Sequence, residues 1–84
     1  MLNDIIENYP DEEFLRADGF DEAVIGVSYE MNRPVRLVYL ISKCLNILIK
    51  RDKMTYEEAQ EFFSFNVEGA YVGEQTPIWC NDIM

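Results

Sequence analysis

The chain has 84 residues, of which 49% are hydrophobic and 27% charged. This composition predicts one small folded domain and excludes a disordered or low-complexity chain, because its apolar surface is large enough to offset the loss of chain entropy. Sixteen Asp and Glu against seven Lys and Arg give a net charge of −9, which argues against direct binding to nucleic-acid phosphates. Histidine, the commonest general base and metal ligand, is absent, so the composition favours a non-enzymatic protein without a cofactor.

The charges lie in three blocks along the chain. Residues 1–22 carry eight acids and a single base, residues 33–53 carry six bases and a single acid, and residues 54–84 carry six acids and no base. Two interpretations remain open. The basic middle pairs with its acidic flanks inside the molecule, or an acidic face steers the protein onto a basic partner surface.

The cysteine content and the apolar stretches predict a cytoplasmic protein with no membrane contact. Cys44 and Cys80 are too few and too far apart for a disulfide framework, so we expect two reduced, partly buried thiols, with a single bridge as the alternative. Residues 1–4 begin no apolar signal segment. The stretch Val35–Ile49 is interrupted by polar residues and is too short to span a bilayer.

The first 18 residues form an acidic segment that is weakly structured or contains short helices. Asn3–Asn8 and Asp11–Ala17 have helical patterns, ended by Pro10 and by Asp18 with Gly19. Each is shorter than a helix that is stable alone.

Two β-branched segments follow. Ala23–Tyr29 and Val35–Leu40 alternate in the manner of strands, and the short polar connection between them predicts an antiparallel hairpin. Gly26 suggests a place where another backbone or a helix approaches the strand closely.

The pattern then changes to the helical period. Apolar residues recur from Ile41 to Ile49, where Ser42 is placed to cap the first turn. Thr55 and Glu58 form a capping box that begins a second helix, whose apolar pattern continues to Tyr71 with Gly73 as its end. Thr76–Cys80 then predicts a short edge strand, an assignment that Pro77 permits.

This order of elements predicts an α+β fold for a single domain over residues 1–84. It consists of an antiparallel β-hairpin, two helices packed on one face of a small antiparallel sheet, and a short C-terminal edge strand.

The candidate interface residues lie on the second helix and the last strand. They are acidic or aromatic: Glu57, Glu58, Glu61, Phe62, Phe65 and Trp79. A carboxylate cluster can hold a divalent metal or act as an acid–base pair. The first turns of a helix favour acids in any case, so we expect the three glutamates to face solvent, with no catalytic or metal-binding role. Trp79 is interpreted either as core or as an interface anchor.

Three segments resemble a known family. The stretches GFDEAVIGV (residues 19–27), YEEA (56–59) and FNVEGAYVGEQTPI (65–78) are similar to a family of small bacteriophage proteins to which no activity is assigned. The resemblance covers about residues 19–80 and implies a phage protein acting in the cytoplasm of a bacterial host. It supplies no catalytic residue.

Size, charge blocks and this resemblance together predict a non-enzymatic phage accessory protein. We expect it to bind a macromolecular partner, with a basic surface of a host protein as the candidate, and inhibition of host or defence machinery is one role of that binding. The alternative is a structural phage protein that assembles with copies of itself.

Overall fold

The computed structural model describes residues 1–68 and 75–82 of the chain. Three α-helices and a three-stranded sheet form the fold. In chain order the elements are α1 (Leu2–Asn8), a 3₁₀ turn (Asp21–Ala23), β1 (Val24–Ser28), β2 (Arg36–Leu40), α2 (Ile41–Arg51), α3 (Tyr56–Phe63), a π-helical turn (Ser64–Glu68) and β3 (Ile78–Cys80). The predicted α+β fold is confirmed.

The predicted hairpin is present and contains one irregularity. β1 and β2 pair antiparallel, with Val24 opposite Tyr39 and Val27 opposite Leu37, and a bulge interrupts the register between Val24 and Gly26. The extra residue lets Val24 and Val27, three positions apart, both lie on the face of Leu37 and Tyr39. Alternation along Ala23–Tyr29 predicts that Val24 and Val27 lie on opposite faces, and the bulge makes that prediction wrong.

The sheet is mixed, which corrects the expectation of an antiparallel sheet. β2 lies in the middle, and β3 pairs with it in parallel, with Tyr39 beside Trp79. The chain between β2 and β3 contains both helices, so it crosses over the sheet and returns β3 in the direction of β2. The predicted edge position of β3 is confirmed.

The core lies between one face of the sheet and the helices. Leu37 and Tyr39 of β2 are fully buried, as are Cys44 and Leu48 of α2. The other buried hydrophobic side chains of this core come from the N-terminal region, β1, α2 and α3: Leu2, Ile5, Phe20, Ala23, Val24, Ile41, Leu45, Ala59 and Phe63. Helical spacing in α2 and α3 thus gives two apolar stripes that cover a single sheet face.

Asp11–Ala17 is not helical, so that prediction is wrong. Phe14 and Ala17 pack against the core, and the backbone N–H of Ala17 donates a hydrogen bond to the hydroxyl of Tyr39 at 2.9 Å. This contact spans 22 positions and satisfies the N–H without a helical turn. The adjoining Gly19 has φ +86°, a conformation that glycine adopts readily and that turns the chain into the 3₁₀ turn.

The helix α2 begins directly after β2 and is capped from the far end of the chain. Leu40 is its N-cap residue and provides no side-chain cap. The Asp82 carboxylate accepts the Ser42 backbone N–H at 3.1 Å and the Ser42 hydroxyl at 2.6 Å. Ser42 is therefore not the predicted cap. Its own N–H needs a partner, and Asp82 supplies it.

The predicted end of the second helix lies beyond the described residues. The helical pattern is present through Glu68, while Gly69, Ala70, Tyr71 and Gly73 lie outside the described residues.

Both cysteines are free thiols, with Cys44 buried and Cys80 exposed. Within residues 1–68 and 75–82, no helix has the length and apolar character needed to cross a membrane.

Candidate functional site

The beginning of α3 is fixed by its capping box. The Thr55 hydroxyl accepts the backbone N–H of Glu58 at 3.2 Å, and the Glu58 carboxylate accepts the backbone N–H of Thr55 at 2.9 Å. The bond from the Thr55 backbone, followed by that from its side chain, lowers the pKa of Glu58. Glu58 is therefore a carboxylate at neutral pH, held at the positive end of the helix dipole.

The rotation of α3 about its axis is fixed by two buried residues one turn apart. Ala59 is fully buried and Phe63 is 3% exposed. Their burial directs the predicted Glu57, Glu58, Glu61, Phe62 and Phe65 away from the core, and all five are exposed. We call these five residues the α3 outer face.

Two phenylalanines on the α3 outer face remain accessible to solvent. Phe62 is 37% exposed and Phe65 is 79% exposed. The Asn66 side-chain amide donates to the Phe62 carbonyl at 3.2 Å, within the π turn where α-helical bonding ends. Phe65 lies one turn after Glu61, so a single partner group can reach both side chains.

The negative charge of the α3 outer face is not neutralised by basic residues of the same segment. Residues 54–68 contain no Lys or Arg. The ion pairs between described residues are Arg33–Glu30 (Nε–Oε2 3.3 Å) and Arg51–Asp52 (Nη2–Oδ2 3.1 Å), both near neighbours in sequence. In the described parts, no ion pair joins the basic middle to an acidic flank. The interpretation of internal pairing thus gains no support there.

The structure separates Trp79 from the other candidate residues. Its ring lies 5.1 Å from the ring of Tyr39 and 5.2 Å from that of Phe63, between centroids. Trp79 is half-buried and packs against the core, on the sheet face that the helices cover. It also lines a cavity of about 200 Å³ together with Arg16, Ala17, Asp18, Phe20, Asn66, Val67 and Pro77. Trp79 therefore does not belong to the α3 outer face.

A groove that the sequence patterns did not predict lies between α2 and the turn that precedes β1. Its volume is about 710 Å³, and most of the residues that line it are polar or charged: Asp21, Glu22, Lys43, Asn46, Lys50 and Arg51, with Gly19 and Ile47. The Arg51 guanidinium lines the groove, donates to the Gly19 carbonyl at 3.0 Å and lies 5.5 Å from the centroid of the Phe20 ring. The sequence feature that could have indicated this groove is the helical spacing of Lys43, Asn46 and Lys50, which places the three side chains on one side of α2.

The sequence patterns also did not predict that large apolar side chains are exposed at the tip of the hairpin. Tyr29 is 77% exposed and Met31 is 86% exposed, in the connection between β1 and β2. Asn32 there has φ 65°, a conformation that asparagine tolerates better than most residues. The sequence pattern placed Tyr29 inside the predicted strand, whereas β1 ends at Ser28. The exposure of Tyr29 at the hairpin tip was therefore not predicted.

Two groups able to perform chemistry, the Cys44 thiol and the Asp82 carboxylate, have structural roles. Burial raises the pKa of the Cys44 thiol to about 12, so that thiol is neutral and a poor nucleophile at physiological pH. The hydrogen bonds from Ser42 lower the pKa of Asp82, which makes this carboxylate a weaker base for the adjoining hydroxyl. Among the described residues, no three carboxylates or thiols converge to hold a metal ion.

Comparison of the chain with protein-family models, with curated proteins and with solved structures gives no match. The resemblance to small bacteriophage proteins stays a prediction.

Proposed function

We propose that this chain is a non-enzymatic bacteriophage accessory protein that binds a protein partner through the α3 outer face. The observation that carries the proposal is the exposure of Phe62 and Phe65, at 37% and 79%, on the same helix surface as three exposed glutamates. Exposed aromatic residues are enriched where proteins meet, and an acidic rim steers a basic surface toward them.

The chemistry of the α3 outer face specifies its partner. A protein surface with an apolar pocket and arginines at its rim is complementary to it. A guanidinium can lie over the Phe65 ring while it pairs with the Glu61 carboxylate one turn away. Nucleic-acid phosphates are repelled by this face, because residues 54–68 bear no cation.

The resemblance to phage proteins favours a partner in the cytoplasm of the bacterial host. Binding that covers a working surface of a host or defence protein would inhibit that protein. The proposal needs no catalytic group on this chain, in keeping with the structural roles of Cys44 and Asp82.

The proposal is tested by quantitative affinity capture from bacterial host lysate with the full chain. The test variant is Glu57→Lys with Glu61→Lys, which leaves the Thr55–Glu58 cap intact. The matched control is Glu7→Lys with Glu13→Lys, which changes the net charge equally at two other exposed positions. We expect a stoichiometric protein that the wild type and the control retain and the test variant loses by about 10-fold or more.

Two results would contradict the proposal. Equal loss in the test variant and the control would mean that total charge, not the α3 outer face, governs binding. Equal retention by all three forms would remove this face from the contact. Circular dichroism of each variant establishes that the comparison is made between folded chains.

A further inference from the structure

The sheet face opposite the helices is apolar and uncovered by the described elements. Strand register places Gly26, Val38, Leu40, Ile78 and Cys80 on this side, with the polar pair Ser28 and Arg36 at one end of it, and we call the first five the outer sheet face. Val38, Leu40 and Ile78 are half-buried, yet none is among the side chains that pack against the core. A Cβ placed on Gly26 would meet no atom of the described residues within 4 Å, so the close approach predicted at Gly26 is not found among them.

The outer sheet face differs in charge from the rest of the molecule. The chain carries 16 acids, but none of these five residues is charged. Arg36, at the start of β2, donates from Nε to the Thr76 carbonyl at 2.6 Å and lies at one end of the face. Asp82 follows β3 at the other end and is exposed. Depletion of charge in the centre with charges at the margin is the composition of a protein interface.

We propose that the outer sheet face is the contact between two copies of this chain. The copies pack face to face about a two-fold axis, with their central strands antiparallel. Such a contact is self-complementary. The antiparallel arrangement directs Arg36 of each copy toward the Asp82 end of the other, whereas the parallel arrangement would bring the two arginines together. A basic partner or an anionic membrane is a poorer occupant, because this face offers no carboxylate and the whole chain is acidic.

The size of the face sets the strength of this contact. Three strands about 4.8 Å apart, with a rise of about 3.3 Å per residue, give a patch of about 10 by 15 Å. That is smaller than a standard interface, so the dimer is weak, with a Kd of about 10–500 µM. Repulsion between two chains of charge −9 opposes it, and salt screens this repulsion. The dimer therefore tightens as the salt concentration rises.

The contact leaves the α3 outer face free. Because α3 packs on the opposite side of the sheet, through Ala59 and Phe63, the dimer presents two acidic, aromatic faces directed away from the two-fold axis. Two such faces allow bivalent binding to a partner with repeated basic sites. The dimer itself does not depend on the proposed function.

Sedimentation velocity tests the contact on the full chain, up to about 0.5 mM in salt of about 0.05 M and about 0.5 M. We expect a monomer–dimer equilibrium that shifts toward dimer in the higher salt. Val38→Glu places a charge in the contact and raises the Kd about 100-fold or more. Val38→Ile retains the dimer, as does the matched control Met31→Glu at the exposed hairpin tip.

Three results overturn the proposal. The first is a wild type that stays monomeric at every concentration and salt. The second is a Val38→Glu variant that dimerises like the wild type. The third is a monomer whose Tm falls sharply on Val38→Glu, because the face then belongs to the chain's own core.

A second readout needs no substitution. Cys80 is exposed in the single chain and lies on the outer sheet face, whereas the pKa of buried Cys44 is about 12, so Cys44 serves as the unreactive reference. We expect the alkylation rate of Cys80 to fall several-fold as the protein concentration rises through the dimer Kd. A rate independent of concentration, in a sample that sediments as a dimer, would place the contact elsewhere and overturn the proposal.

Discussion

The α3 outer face and the outer sheet face lie on opposite sides of the core and have opposite chemistry. The first combines three carboxylates with Phe62 and Phe65. The second contains no charged residue in its centre and is formed by short apolar side chains such as Val38. One small acidic chain therefore offers one surface suited to a basic partner and another suited to a neutral, apolar one. The difference teaches that a net charge of −9 describes the α3 outer face but not the outer sheet face.

The same comparison explains why both surfaces coexist with a stable core. A helix buries only a stripe, so the remaining surface of α3 is available for binding without cost to packing. A strand has two faces, and β2 buries Leu37 and Tyr39 on one while Val38 lies on the other. Val38 does not pack against the core of the single chain, which is why we assign the second face to a contact.

The largest effect is expected between the buried side and the exposed side of α3 and the π-helical turn that follows it. Phe63→Ala removes a ring that is 3% exposed and contacts Trp79, and we expect it to lower the free energy of unfolding by about 3–5 kcal/mol. Phe65→Ala removes a ring that is 79% exposed and should change the free energy of unfolding by less than about 0.5 kcal/mol. Denaturant titration measures both. Similar losses in the two variants would show that Phe65 is part of the core.

A smaller effect on stability is expected when acid protonates the Asp82 carboxylate, which caps α2. Hydrogen bonds from Ser42 lower the pKa of Asp82 from its ordinary value of 3.8. The unfolded chain therefore binds this proton more readily than the folded one, so the contribution of Asp82 to stability is complete above pH 3.8 and is lost as the pH falls through the folded-state pKa.

Asp82→Asn should accordingly weaken the fold at neutral pH and flatten part of its acid-induced loss of stability. Denaturation midpoints measured from about pH 7 to about pH 2.5 test this. The matched control is Asp11→Asn, at an exposed turn outside this contact. An acid response of Asp82→Asn that is identical to that of the control would show that Asp82 does not cap α2 in solution.

The features that the sequence predicted correctly depend on neighbouring residues. The capping box spans Thr55 to Glu58, and the hairpin joins adjacent segments, so each leaves a pattern in a short window. The exposed position of Glu57 and Glu61 follows from the same helical period that buries Phe63. Local patterns were thus sufficient for the fold class and for one side of the candidate site.

The features that the sequence concealed depend on residues far apart. Asp82 caps a helix that begins some 40 positions earlier, and the Tyr39 hydroxyl satisfies the Ala17 N–H across 22 positions. Neither contact leaves a periodic pattern. The parallel direction of β3, which places Trp79 against Phe63, is a property of the crossover, and the outer sheet face appears only when three strands come together.

The most direct test of this account is the salt response of both contacts, measured on one preparation of the wild-type chain. Capture of the host partner through the α3 outer face and self-association through the outer sheet face are each quantified at salt concentrations of about 0.05 M and about 0.5 M. The account predicts opposite changes: partner capture falls, because the attraction of opposite charges is screened, and self-association rises, because the repulsion between acidic copies is screened. Changes in the same direction would contradict the claim that the two faces bind by different chemistry.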